Sequence, residues 1–186
     1  MAAIHSRATT HGITTDLPNI ADVGASFVPS IATRTPWYCA GCPHNSSTKL
    51  PDGEVVGMGI GCHSISGFLT PDEITNFTQM GGEGAFWIGR SPFSKHSHSF
   101  QNIGDGTYAH SGYLGIRAAV ASGVNLTFKI LYNGAVAMTG GQTVEGGQTP
   151  WVMSCQLAAE GIVKIAIVTD TLDDLPNGAK WASNSQ

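Results

Sequence analysis

Apolar positions along the chain follow two periods. Around 55–61, 99–104, 125–132 and 162–169 they form short runs rich in β-branched and aromatic residues ("VVGMGIG", "SFQNIG", "NLTFKILY" and "IVKIAIVT"), which predict strands. Over 108–122 and 149–160 they recur at helical spacing, as in "GYLGIRAAVAS" and "TPWVMSCQLAAE". The stretch "FLTPDEITNFTQM" predicts one more short helix, because Thr-Pro-Asp-Glu is a good helix start. Strand, helix and strand in succession over 99–132 make a βαβ unit. The expected fold is therefore α/β, a mostly parallel sheet with helices on both faces, over about 35–182. Residues 1–34 read as an arm or linker and 183–186 as a tail.

Polar residues stand at the carboxyl ends of both strands of that unit, where open parallel sheets bind ligands. "GDG" closes the first strand at Gly104, Asp105 and Gly106, and Asn133 follows the second. Two oxygen-bearing side chains meeting at one point suit a hard divalent cation. The alternatives are local: a helix-capping aspartate in a βα turn, and an Asn-Gly turn pair at Asn133 and Gly134.

Composition narrows the picture. Of 186 residues, 41% are hydrophobic and only 12% charged, as suits a domain whose surface is partly covered by other protein. A net charge of −4 leaves no basic footprint for nucleic acid. No apolar run approaches a membrane span, and nothing marks the chain as secreted, so a cytoplasmic location is expected. The 24 glycines cluster in motifs such as "GMGIGC", "MGGEG" and "TGGQ", a pattern of backbone packed closely against a ligand.

Of the four cysteines, Cys39 and Cys42 form a Cys-x-x-Cys pair in "WYCAGCPHN", and Cys62 stands in "GIGCH" at the end of a glycine-rich strand. The pair can face one ion or cluster. Four readings compete: reduced thiols with no ligand, a zinc site completed by His44 or His63, an iron–sulfur cluster, and a disulfide. Cys155 lies in a predicted helix among apolar residues and reads as a core thiol, so any cluster site formed by the other three is incomplete.

Several ordered motifs together carry a resemblance. "WYCAGCPHNSSTK", "GIGCH", "MGGEGAFWIG", "FQNIGDGTYAHSGYLGIRAAVASGVNLTFKILYNGAVAMTGGQ" and "LAAEGIVKIAIVTD" resemble the thiamine-diphosphate-binding domain of indolepyruvate ferredoxin oxidoreductases, in the 2-oxoacid:ferredoxin oxidoreductase superfamily. The spacing agrees, with 26 residues (107–132) between Gly-Asp-Gly and Asn133. The resemblance implies oxidative decarboxylation of an aryl 2-oxo acid such as indolepyruvate to acyl-coenzyme A. Electrons would pass through iron–sulfur clusters, 4Fe-4S in type, to ferredoxin, with thiamine diphosphate and Mg²⁺ as cofactors.

Carried onto these positions, it implies that Asp105, Asn133 and the backbone carbonyl of Ala135 ligate Mg²⁺. Gly104 and Gly106 would let the backbone approach the diphosphate, and Thr139, Gly140 and Gly141, in a loop that ends at Gln142, would lie over the cofactor. Cys39, Cys42 and Cys62 would hold the iron–sulfur cluster. Glu83, in "MGGEG", is expected on the cofactor or substrate side, or else as a solvated carboxylate. His44, His63 and His110 stand beside motifs. Many relatives carry an acidic residue where Gly134 stands.

The glutamate that contacts the aminopyrimidine ring in this superfamily belongs to a separate pyrimidine-binding domain or subunit, and nothing here matches it. The chain reads as a fragment or single subunit, inactive without that partner. The competing expectation is a non-enzymatic iron–sulfur or zinc module that keeps the fold.

Overall fold

The computed structural model describes residues 10–12 and 34–169. The chain divides after Thr35, and the architecture below belongs to the unit Pro36–Gln186. Its centre is a four-stranded parallel sheet of β1 (Val56–Met58), β2 (Ile74–Phe77), β3 (Ser99–Gly104) and β4 (Leu126–Leu131), in the order β2-β1-β3-β4. From β1 the chain moves outward to β2 on one side, and from β3 to β4 on the other. The strand order therefore reverses between β1 and β3, and their carboxyl ends flank the crevice in which such sheets bind ligands.

Short helices α1 (His44–Ser47) and α2 (Ser66–Leu69) flank β1 in the chain, and α3 (Ala85–Arg90) follows β2. After β3 the chain turns directly into α4 (Asp105–Thr107), a π-helical segment (Tyr108–Gly112) and α5 (Tyr113–Ser122). The hairpin of β5 (Ala135–Val136) and β6 (Gln142–Thr143) and then α6 (Pro150–Ala159) complete the described elements. Ile103 of β3, Tyr108, Ile116 of α5, and Met153 and Leu157 of α6 form the core cluster. The Tyr108 hydroxyl donates to Gln156 Oε1 at 2.8 Å, which ties the π-helical segment to α6.

Several sequence expectations need correction. The stretch read as a helix in "FLTPDEITNFTQM" holds the end of α2 at Phe68 and Leu69, then a 3₁₀ turn at Pro71–Glu73, and then becomes β2. Thr-Pro-Asp-Glu does start a turn, but Ile74–Phe77 gains more by pairing in parallel with β1. The strand expected over 55–61 stops at Met58, and Cys62 opens a 3₁₀ turn rather than closing a strand. Residues 162–169 form no strand, because the sheet ends at β4 and they pair with none of its strands. Val163 and Val168 are consequently more than nine-tenths exposed. The helix expected at 108 begins earlier, at Asp105, and contains the π-helical segment, a feature often found at functional sites.

Among the described residues, no helix is long and apolar enough to cross a membrane.

Candidate functional site

The register of the two central strands builds the site. In the parallel pairing of β3 with β4, Gly104 stands opposite Leu131. The residues that follow each strand must therefore emerge side by side. Asp105, almost fully buried, turns one carboxylate oxygen to its own turn and the other to its neighbour's. Oδ1 accepts from the Gly106 N–H at 2.9 Å. Oδ2 accepts from the N–H groups of Asn133 at 3.1 Å and Gly134 at 2.6 Å. The carboxylate thus ties together the two strand ends that the sequence pattern singles out. Its role is more than capping one helix.

Asn133 Oδ1 accepts from the Ala135 N–H at 2.9 Å, which fixes the side chain over the turn into β5. Gly134 has φ +69°, a left-handed conformation that favours glycine. Asp105 and Asn133 are thus adjacent at the carboxyl edge of the sheet, with Ala135 two residues further on.

Beside this junction lies a cavity of about 170 Å³, lined by Asp105, Tyr132, Val144, Gln148 and Met153 among others. Sequence reasoning missed the contribution of the segment after β6, although its "EGGQTP" glycines marked a place where backbone packs tightly. Gln148 Oε1 is buried there without a hydrogen-bond partner. Asp105 is the one charged residue among those lining this cavity, and a carboxylate at such a place suits a hard cation. The residues present therefore fit a Mg²⁺-borne diphosphate.

The "TGGQ" loop is placed differently. Thr139, Gly140 and Gly141 are exposed and form the turn of the β5–β6 hairpin. Thr139 Oγ1 donates to Gln142 Oε1 at 3.0 Å, while Gln142 Nε2 donates to the Thr139 carbonyl at 2.9 Å. None of these residues lines the cavity with Asp105.

Glu83 is neither a solvated carboxylate nor part of that cavity wall. It is fully buried, Oε2 accepts from the Gly81 N–H at 2.7 Å, and Oε1 has no partner. Burial pushes its carboxyl above the usual carboxylate range. A carboxyl raised in this way adds stability that is fully present below its unfolded value, about 4.3, and is lost as pH rises through the folded value. Glu83→Gln, which keeps the shape without the charge, is expected to be more stable than the native chain at pH 7 to urea. The difference should fade as the pH approaches about 4. A pH-independent difference would contradict that assignment.

At the carboxyl end of β1, the Cys39–Cys42 turn, closed by the Cys42 N–H to the Cys39 carbonyl at 3.1 Å, is held by buried neighbours. The Tyr38 hydroxyl donates to the His63 carbonyl at 3.3 Å, and the Tyr38 ring stands edge-on to His44. Burial lowers the pKa of His44, opposed in part by the Asp105 carboxylate nearby. His63 Nε2 is buried without a partner, and burial first and His44 second pull its pKa down to about 4. His110 is exposed and shares a hydrogen bond with Ser111 Oγ at 2.9 Å.

Burial raises the Cys62 thiol, and its neighbours Cys42 and Cys39 raise it further. The three cysteines are thus near one another. Even so, among the described residues no group of three or more His, Cys, Asp or Glu side chains is arranged to hold a metal ion. The convergence expected of Cys39, Cys42 and Cys62 stops at electrostatic contact, with Cys39 exposed and Cys42 and Cys62 half-buried. Cys155, read as a core thiol, is exposed on α6.

Comparison with known proteins agrees with the geometry. The C-terminal TPP-binding domain of thiamine pyrophosphate enzymes matches residues 59–181. Indolepyruvate oxidoreductase subunit IorA of Thermococcus kodakarensis is 27% identical over 154 residues, covering 72% of this chain and 24% of that protein. The chain thus spans about a quarter of the length of that relative. No solved structure matches it. With Asp105 and Asn133 inside the matched span and meeting at the carboxyl edge of a parallel sheet, the chain belongs to the C-terminal TPP-binding domain family of thiamine pyrophosphate enzymes.

Proposed function

We propose that this chain is the thiamine-diphosphate- and Mg²⁺-binding part of an oxidoreductase that converts aryl 2-oxo acids, of the indolepyruvate kind, to acyl-coenzyme A. The observation that carries the reading is the Asp105 junction, where one buried carboxylate joins both strand ends next to a cavity. The similarity to an indolepyruvate oxidoreductase subunit supports the substrate class.

In this reading Asp105, Asn133 and the Ala135 carbonyl would hold the Mg²⁺ that accompanies the diphosphate. Bound thiamine diphosphate supplies the electron sink for decarboxylation. The chain's own residues would fix the cofactor's position and present it to a partner. That partner is a pyrimidine-binding domain or subunit, which contributes the glutamate this chain lacks. A 4Fe-4S cluster on Cys39, Cys42 and Cys62 would require the turn at Cys39 to close on Cys62 and a fourth ligand from outside the described residues; such clusters would carry electrons to ferredoxin.

The test combines the chain with its pyrimidine-binding partner, reconstitutes iron and sulfide anaerobically, and follows ferredoxin reduction. Reduction that requires indolepyruvate, coenzyme A, thiamine diphosphate and Mg²⁺ together is expected. Reduction that proceeds without thiamine diphosphate would contradict the reading.

A further inference from the structure

The segment that carries Cys39 and Cys42 is a run of local turns. The Cys42 N–H donates to the Cys39 carbonyl and the Thr48 N–H to the His44 carbonyl, each at 3.1 Å. Helix α1 has four residues, too few to hold in water by itself. Turns of this kind set their own shape but not their place on the domain, so the place of the two thiols depends on ties to other elements.

Two side chains supply such ties, one at each end of the cysteine turn. At the start, Tyr38 is buried beside Cys39, and its hydroxyl donates to the carbonyl of His63, the neighbour of Cys62. At the far end, Lys129 of β4 donates from Nζ to the carbonyls of Ser47 at 3.1 Å and Lys49 at 2.7 Å. Ser47 closes α1, where carbonyls lack helical partners and a cation suits the helix end. Lys129 stands opposite Asn102 in the register of β3 with β4, two residues along from Phe100, and so shares their face of the sheet. There its Nζ lies 4.9 Å from the centre of the Phe100 ring, a cation–π contact. The ammonium is thus seated on the sheet, and its charge-assisted bonds fasten backbone 80 residues earlier in the chain.

We propose that Lys129 is a positioning residue for the three thiols: by fastening the Ser47 and Lys49 carbonyls to β4 it keeps the Cys39–Cys42 turn beside Cys62. This rests on the reading that Cys39, Cys42 and Cys62 serve one group, and it extends that reading to a residue of the sheet. Lys129 acts through the backbone of the segment and touches none of the thiols' ligands itself.

The test uses the whole chain with Cys39→Ser and Cys155→Ser, which leaves Cys42 and Cys62 as its thiols. It is treated with o-phenylenedimaleimide, a short rigid reagent that adds two thiols, and the products are sorted by mass spectrometry. Once one maleimide has reacted, the second thiol is captured at an effective concentration set by geometry. Lys129→Met in this background is therefore expected to lower the ratio of cross-linked to unlinked adducts about tenfold, with the circular dichroism of the fold unchanged. Lys129→Arg, which keeps a charged donor on a long stem, is expected to restore most of the ratio. If folded Lys129→Met cross-links as well as the background chain, the role of Lys129 is overturned and the grouping of the thiols stands. If Lys129→Met does not fold, Lys129 serves the fold as a whole and the positioning role is likewise overturned. If Lys129→Arg cross-links as poorly as Lys129→Met, the cationic tie falls. If the background chain itself gives no cross-link, the thiols do not form one group, and that reading fails together with Lys129.

Discussion

Asp105→Ala is expected to lose thiamine diphosphate binding entirely and to unfold at lower denaturant. Both losses follow from the same three hydrogen bonds. The substitution removes the charged group of the cation site. It also leaves the N–H groups of Gly106, Asn133 and Gly134 without their acceptor. Each unsatisfied buried donor costs about 1–3 kcal/mol, less where water can enter from the adjoining cavity, so a total of about 2–4 kcal/mol is expected. Asp105→Asn separates the two effects. It keeps one acceptor oxygen for the turns, so most of the stability should return, but it lacks the charge, so cofactor binding should not. Urea denaturation reads the first effect and calorimetry the second. A stable Asp105→Asn chain that still binds thiamine diphosphate at native affinity would contradict a charge-dependent cation site.

The second large effect is expected at Gly115, far from any charge. Helix α5 lies directly on the "MGGEG" loop, and a Cβ at Gly115 would stand 2.7 Å from the Glu83 carbonyl oxygen. That contact is backbone, so no side chain can swing away to relieve it. Gly115→Ala must push α5 off the loop or shift the loop itself. Overpacking of this kind costs about 1–3 kcal/mol. The loop is also pinned to β3, since the Gly84 N–H donates to Gln101 Oε1 at 3.0 Å. Displacement should therefore reach β3 and, through it, Asp105. The expected result is lower stability together with weaker cofactor binding. Gly89→Ala is the control, because a Cβ there meets nothing within 4 Å. Equal stability of the two variants would contradict direct packing of α5 on the loop.

How far the fold could be read from the chain depended on whether each signal was local. The βαβ unit over 99–131 was legible because strand, glycine turn and amphipathic helix each carry their own pattern. Parallel pairing then puts Gly104 opposite Leu131 without further instruction. The meeting of Asp105 with Asn133 follows from that register. β2 was not legible, since Ile74–Phe77 is four residues long and follows a turn that reads as a helix start. The β-branched run at 162–169 shows the opposite failure. Its composition favours a strand, but a strand forms only where an edge accepts it, and the sheet ends at β4.

Glu83 and Gln148 lay beyond sequence reasoning for a related reason. Burial of a carboxyl under α5, and a cavity that Gln148 shares with a residue 43 positions earlier (148 − 105), arise only from tertiary packing. The cysteines fall between these cases. Their spacing suggested proximity, and Cys42 and Cys39 lie close enough to act on the Cys62 thiol, but spacing alone could not say whether the turn at Cys39 would close on the 3₁₀ turn at Cys62.

The central claim is that one cation, held at the carboxyl edge of the sheet, carries the cofactor into this domain. Its most direct measurement is calorimetric titration of the whole chain with thiamine diphosphate, once with Mg²⁺ and once with the metal chelated by EDTA. Saturable one-to-one binding with Mg²⁺, absent in EDTA and absent in Asp105→Asn, is the expected result. Binding of the same affinity in EDTA, or no binding in either condition, would contradict it.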